Sequence, residues 1–372
     1  MSTVPPSDFG SASPRPPAAS SPQIILQQQP PTALGRYGKL VLAALVVAIV
    51  TIIGQNASYR SYFSSPDEPQ EKYHSLSEDA EKKIAVIRIE GTIFDADGFV
   101  KQQIDRVRDD ENVVAVVVRI DSPGGTVTAS DYLYHHLRAL RVDRRDKDDR
   151  KLPDLPIVVS MGSICASGGY YLAMCVGDEP ETIFAEPSTW TGSIGVVIPH
   201  YDLSGLLASW HVEDDSIASH KYKLMGSFTR ELPPEEREQE RKLLQTLVDQ
   251  SFERFKNIVR AGRPKLKADD AMLTKATTGQ IFTAQQALDL GLIDKEGFLD
   301  MAIERAAKLA KRDPQDLRCV QYETPPTLLS SLGADSGVEP AAQVNLSAIA
   351  RLATPRAYYL WNALPAILLQ GR

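Results

Sequence analysis

Three apolar patterns run through the chain. The first is one long block, Leu40 to Gly54, with no charge and a single threonine. With its uncharged flank to Ala57 it reaches about 18 residues, the lower limit for a helix that spans a bilayer. The second is a set of short runs. Lys83 to Ile89 alternates as a half-buried strand does. Val113 to Ile120 and Ile157 to Val159 are continuously apolar, which predicts strands covered on both faces. Thr182 to Ala185 reads as another strand. The third pattern has helical period. Gly98 to Asp110 turns Phe99, Ile104 and Val107 inward, and Thr128 to Arg141 forms the next helix. Pro233 to Ala261 opens on two prolines and two glutamates, carries a stripe of Leu243, Leu244, Leu247, Val248, Phe252, Phe255, Ile258 and Val259, and stops at Gly262. Ala284 to Leu290 and Gly297 to Lys311 add two helices. Strands alternating with helices predict an α/β fold with right-handed crossovers.

The remaining stretches set the domain plan. Residues 1–37 form a Pro-, Ser- and Gln-rich tail of disordered character. Residues 38–57 are the membrane anchor, 58–80 a polar linker, 81–322 the globular domain, and 323–372 a flexible tail. Arg15, Arg36 and Lys39 precede the apolar block, and Asp67, Glu68 and Glu71 follow Arg60. The positive-inside rule then keeps the tail in the cytoplasm and exports the domain, so the chain is expected in the plasma (inner) membrane as a single-pass protein. A cleaved signal peptide is the rival, opposed by the long leading segment and the lack of an A-x-A-like site. The apolar end, Ala357 to Leu369, is too short to span; it either lies at the membrane interface or docks on its own protein.

Composition narrows the function. The chain has 372 residues, 24% of them charged, and a net charge of −7, which argues against a nucleic-acid partner. Its three cysteines, Cys165, Cys175 and Cys319, show no CxxC pair and no zinc spacing. No metal or cofactor is expected.

The candidate chemistry lies in two glycine-rich turns. Met161 to Tyr171 follows a buried strand and carries Ala166-Ser167-Gly168-Gly169. Its serine either caps a helix or offers a nucleophilic hydroxyl where a substrate backbone can approach. Cys165 is a rival nucleophile. Asp121-Ser122-Pro123-Gly124-Gly125-Thr126 ends another strand and leaves N–H groups suited to an oxyanion hole. The six histidines form no partner pattern, and neither a G-x-S-x-G elbow around Ser167 nor an S-x-x-K motif is present.

Together with Thr191-Gly192-Ser193-Ile194-Gly195 and Ser219-His220-Lys221-Tyr222-Lys223, these turns resemble the signal peptide peptidase A family of membrane-anchored serine proteases, within the ClpP/crotonase superfamily. The resemblance covers about Ile84 to Lys311. The chain departs from the family pattern after the lysine, with Leu224 and Phe228. The resemblance implies a spiral of repeated β-β-α units and a Ser–Lys dyad, with Ser167 as nucleophile and Lys223 as base. Lys221 and His220 are the rival bases. Ser193 would orient the lysine, and Gly168 with Gly124 or Gly125 would supply the oxyanion donors. It also implies ring-like homo-oligomers with sites shared between subunits, acting on peptide substrates such as signal-peptide remnants and on misfolded exported proteins. A lysine acts as a base only when neutral, so its usual value of about 10.4 must fall through burial. Two other readings share the fold: a crotonase-type acyl-CoA enzyme and an inactive membrane scaffold.

Overall fold

The computed structural model describes residues 33–63, 68–324 and 357–360. Residues 1–32, most of the expected tails, and the end beyond Leu360 lie outside them. The chain divides into two compact units, residues 1–66 and 67–372. In the first, helix α1 (Ala33–Phe63) carries the apolar block, with Leu40, Val47 and Ile52 each more than 60% exposed. Among the described residues no helix is long and apolar enough to cross a membrane.

The second unit is a mixed α/β domain. Its strands are β1 (Gln70–Leu76), β2 (Lys82–Glu90), β3 (Val113–Ser122), β4 (Gly124–Thr126), β5 (Ile157–Ala166), β6 (Ile183–Ala185), β7 (Trp190–Gly192), β8 (Ile281–Thr283), β9 (Lys295–Glu296), β10 (Leu317–Glu323) and β11 (Tyr358–Leu360). Its helices are α2 (Phe99–Asp109), α3 (Val127–Val142), α4 (Gly168–Ala173), α5 (Ser204–Ser209), α6 (Pro234–Gly262), α7 (Pro264–Ala268), α8 (Asp270–Ala276), α9 (Ala284–Asp289) and α10 (Leu299–Leu309).

The sheet runs β1-β10-β2-β3-β5-β6-β9, with β7 beside the far end of β5 and β8 beside β7. From β10 to β9 the neighbours are parallel, and β1 pairs antiparallel at the edge. The continuous apolar runs are explained by burial on two faces. Val116, Val118, Ile120, Ile157 and Val159 enter the core shared with α2, α3, α4 and α6. Ala115, Val117 and Val158 face Ala302, Ile303, Ala306 and Ala307 of α10 on the other side. Each face holds alternate residues of the same strands, as the two-residue period requires.

Two expectations need correction. Residues 70–76, read as linker, form β1. Their polar side chains fit an edge strand, where the backbone ladder with β10 rather than a hydrophobic face holds the strand. The apolar stripe of α6 is buried only toward its end: Phe255 and Val259 are fully enclosed, while Leu243 and Leu247 stay exposed. The C-terminal apolar segment docks on its own domain, at least over Tyr358–Leu360, through an antiparallel ladder with β4.

A buried ion pair ties the helical layer to the sheet. Arg263, 4% exposed, donates to both carboxylate oxygens of Asp294, at 3.1 and 2.7 Å, and to the Gly291 carbonyl. Asp294 also accepts from the amides of Thr182 and Ile183 at the start of β6. Burial alone would raise the Asp294 carboxyl, but Arg263 and the two amides hold it below its ordinary value. Stabilisation from this group is therefore complete above about pH 4 and is lost as pH falls through the lower native value. Arg263→Met strands the carboxylate and is expected to lower stability at pH 7 by about 3–5 kcal/mol, read from the urea midpoint. An unchanged midpoint would remove this pair from the framework.

Candidate active site

The site forms just beyond a bulge in the pairing of β3 and β5. Their parallel register holds to Ile120 opposite Met161 and then shifts, so that Ser122 faces Cys165. Asp121 fills the break. Its carboxylate accepts from the Ser163 hydroxyl at 2.7 Å and from the Ile164 amide at 3.1 Å. Beyond the break, Ile164 to Ala166 pair with β7 instead. Thr191 of β7 adds a bond from its hydroxyl to the Cys165 carbonyl at 2.6 Å.

Ser167 follows at φ 53°, ψ −113°, a conformation that a side chain normally avoids. Two backbone bonds impose it. The Ser167 N–H donates to the Gly192 carbonyl at 2.8 Å, and its own carbonyl accepts from Tyr171 at 2.9 Å. Ser167 stands at the N-cap position of α4, yet its hydroxyl caps no N–H of that helix. The capping alternative is therefore not realised. Cys165, the rival nucleophile, is fully buried, and burial pushes its thiol well above the ordinary range, so it stays protonated.

The expected glycines converge on Ser167. Gly124 sits at φ 101°, and a Cβ there would meet the Gly168 nitrogen at 2.7 Å and the Ser167 Cβ at 3.1 Å. A Cβ on Gly168 would stand 3.1 Å from the Gly125 nitrogen and 2.5 Å from Ser130 Oγ, a buried hydroxyl with no partner among the described residues. The structure also separates the two oxyanion candidates. The Gly124 N–H is engaged by Ser122 Oγ at 3.1 Å. On one edge of β4 the Gly124 carbonyl and the Thr126 N–H bond Ile93, which turns the Gly125 N–H to the opposite edge. Ser193, at φ 51° and nearly buried, comes directly after Gly192 and is fixed by its N–H to the Gln280 carbonyl at 2.7 Å.

Lys223 is not brought to this cluster. It lies in a short 3-10 turn, Lys221–Leu224, exposed, and no hydrogen bond joins it to Ser167 or Ser193. Its ammonium has no ion pair among the described residues. The rival Lys221 bonds Gln239 at 3.0 Å and lies 3.7 Å from Glu236, so it belongs to the surface of α6. Glu240 fastens the turn by accepting from the Gly226 amide at 3.3 Å. His220 is exposed.

The core next to Ser167 is aromatic. Tyr171 of α4 and Phe255 of α6 pack there with ring centroids 5.1 Å apart, and the Tyr171 hydroxyl is tied to Asp131 at 2.6 Å. The apolar stripe of α6 is borne out at this end, where Phe255 lies in the core.

Residues 149–313 match the model of peptidase family S49. A Synechocystis sp. protein that carries a provisional protease name is 38% identical over 264 residues, covering 70% of this chain and 87% of that protein. The chain belongs to peptidase family S49. It is a serine protease, and the acyl-CoA reading falls with that membership. Protease 4 of Salmonella typhi is 32% identical to this S49 peptidase over 254 residues, 66% of this chain but 37% of that longer protein. The chloroplastic serine protease SPPA of Arabidopsis thaliana is 30% identical over 270 residues, 68% of this chain and again 37% of the relative.

The backbone at position 167 yields a test that separates strain from chemistry. Ser167→Gly and Ser167→Ala both delete the hydroxyl, but only glycine relieves the positive φ. The glycine variant is expected to be more stable by about 1 kcal/mol, with both inactive, in parallel urea titrations. Equal or reversed stabilities would show that the residue is not strained.

Proposed function

We propose that this S49 protease is a membrane-anchored endopeptidase that uses a Ser167–Lys223 dyad to degrade remnant signal peptides and misfolded exported proteins. The observation that carries the reading is the Ser167 hydroxyl, uncommitted to capping, beside the inward-turned N–H of Gly125 and the N–H of Gly168. Ser167 Oγ attacks the substrate carbonyl. The amides of Gly125 and Gly168 take up the charge on its oxygen, a contribution of about 3–4 kcal/mol per donor in comparable sites. Gly124 acts through shape, since any side chain there would fill the space between Gly168 and Ser167. Ser193, held one residue from the Ser167 amide's acceptor, orients the lysine amine. The domain is read as a ClpP/crotonase-like spiral.

The base is completed between subunits. For Lys223 to act as a base it must be withdrawn from water, so something must cover it. The surface near Lys223 favours a second copy of the chain. Trp210, Val212 and Ile217 precede the turn, and Leu243 and Leu247 follow it on α6, all well exposed. A heterologous ring contact would cover these residues and set one protomer's lysine over the next one's serine.

The exposed apolar side chains of α1 between Leu40 and Ile52, preceded by Arg36 and Lys39, support an anchor with the protease domain outside the cytoplasm. The signal-peptide role rests on likeness to a signal peptide peptidase SppA homologue of Enterococcus faecium, 28% identical over 323 residues.

Ser167→Ala is expected to lower peptide hydrolysis by at least about a thousandfold while leaving the fold intact. Lys223→Ala is expected to do the same alone. Mixed oligomers of the two variants should recover activity, because some interfaces then pair an intact serine with an intact lysine. Mixed rings that form yet stay inactive would put both groups in one chain.

A further inference from the structure

Helix α6 is buried toward its two ends and not between them. Of its residues only Glu240, Phe255, Val259 and Gly262 are enclosed. Phe255 and Val259 lie in the core, and Arg263 just beyond them is held by Asp294. At 1.5 Å per residue, Glu240 stands roughly 22 Å from Phe255 along the helix. Leu243 and Leu247, between the two, are exposed. The helix is thus a beam fixed in the core, with one buried acid toward its far end.

That acid meets the lysine turn. Glu240, 5% exposed, accepts from the Gly226 amide at 3.3 Å. Gly226 is itself buried and sits at φ 78°, a conformation that glycine supplies without strain. The turn leading to it is closed by backbone bonds from Lys223 to His220, from Met225 to Tyr222 and from Ser227 to Leu224, at 3.1, 3.1 and 3.0 Å. Beyond Gly226, Ser227 and Thr229 share a bond at 2.9 Å and the Thr229 hydroxyl donates to Asp214, so the chain after the turn is braced as well. The start of the turn has its own tie to α6, from Lys221 to Gln239 and Glu236, but that contact is exposed, and such contacts hold weakly. The fixed point of the turn is Gly226.

Arg230 supplies the counter-charge. Its guanidinium lies 3.6 Å from the second Glu240 oxygen, which accepts no hydrogen bond among the described residues. A cavity of about 410 Å³ lies alongside, lined by Gly226, Ser227, Arg230, Glu240 and Leu244. A buried pair in this loose geometry adds little to stability, because the desolvation of two charges offsets their attraction. Its effect is on place: the carboxylate ties a backbone amide of the lysine turn to a helix that the core aims.

We propose that Glu240 is a positioning residue for catalysis: by taking the Gly226 amide it fixes the turn that carries Lys223, so that the lysine enters the site of the neighbouring subunit at one height. The proposal rests on the reading of Lys223 as base and deepens it. Glu240 acts through the backbone of the turn alone. A base that reaches a hydroxyl across a subunit boundary needs a support as fixed as the serine it meets, since a displacement of about 1 Å costs on the order of a hundredfold in rate.

The test compares Glu240→Leu and Glu240→Gln in the full chain, purified as the oligomer in detergent, by peptide hydrolysis and urea titration. Leucine fills the volume without an acceptor, whereas glutamine keeps an oxygen for the Gly226 amide. Glu240→Leu is expected to lower kcat at least about tenfold, with KM within about twofold of wild type. Its urea midpoint is expected at or above that of wild type. Glu240→Gln is expected to keep at least about a third of wild-type kcat. In mixed oligomers, Glu240→Leu is expected to regain activity with Ser167→Ala, which brings an intact lysine turn, and to gain nothing with Lys223→Ala, which is deficient in the same half. Wild-type kcat in Glu240→Leu, beside an inactive Lys223→Ala, overturns the positioning role and leaves the dyad standing. An active Lys223→Ala overturns the dyad and this proposal with it. A midpoint that falls together with kcat in Glu240→Leu, or equal losses of kcat in both Glu240 variants, overturns the proposal by showing a structural or charge requirement instead. Recovery with Lys223→Ala overturns it by assigning Glu240 to the half of the site that carries the serine. Where the dyad lies within one chain, kcat, KM and the midpoint decide the same question without the mixtures.

Discussion

The Asp121 carboxylate is the constraint on which the site depends. It takes the Ser163 hydroxyl and the Ile164 amide into a gap between β3 and β5, and so keeps the end of β5 from continuing its parallel register. Irregularities of this kind re-aim a strand at the cost of ladder bonds. On the opposite edge of β5, β6 gives way to β7, whose Gly192 carbonyl receives the Ser167 amide. One carboxylate thus holds the bulge between β3 and β5, beyond which Ser167 stands at a positive φ facing glycine backbone.

From that point the site is assembled from main chain more than from side chains. Gly125 and Gly168 offer amides, Gly124 offers vacant space, and Ser193 follows the carbonyl that holds Ser167. Such groups are fixed by the fold before any substrate arrives, the condition under which they stabilise developing charge most. Lys223 stands apart, on an exposed turn fastened by Glu240. Under the proposed dyad, this lysine must be desolvated by an interface between subunits.

How much of this could be read from the sequence follows from which forces leave a pattern. Burial on two faces writes continuous apolar runs, so β3 and β5 were legible. Steric demands at turns write glycines, so Ser122 to Thr126 and Ser167 to Gly169 were legible as well, although the choice between Gly124 and Gly125 depended on the Ser122 hydroxyl, which spacing does not reveal. β1 was not legible because an edge strand held by backbone bonds needs no apolar period. Tyr359 read as part of an unassigned apolar end, since its meaning comes from a register with Gly125 more than two hundred positions away.

The central claim is that Ser167, although only 1% exposed, is the one activated serine of the chain. Labelling the full chain with a serine-directed fluorophosphonate and mapping the adduct by peptide mass tests it most directly. The account predicts a single adduct on the peptide that carries Ser167, absent from Ser167→Ala and unaffected by Cys165→Ala. An adduct on another serine, or labelling that persists in Ser167→Ala, would contradict it.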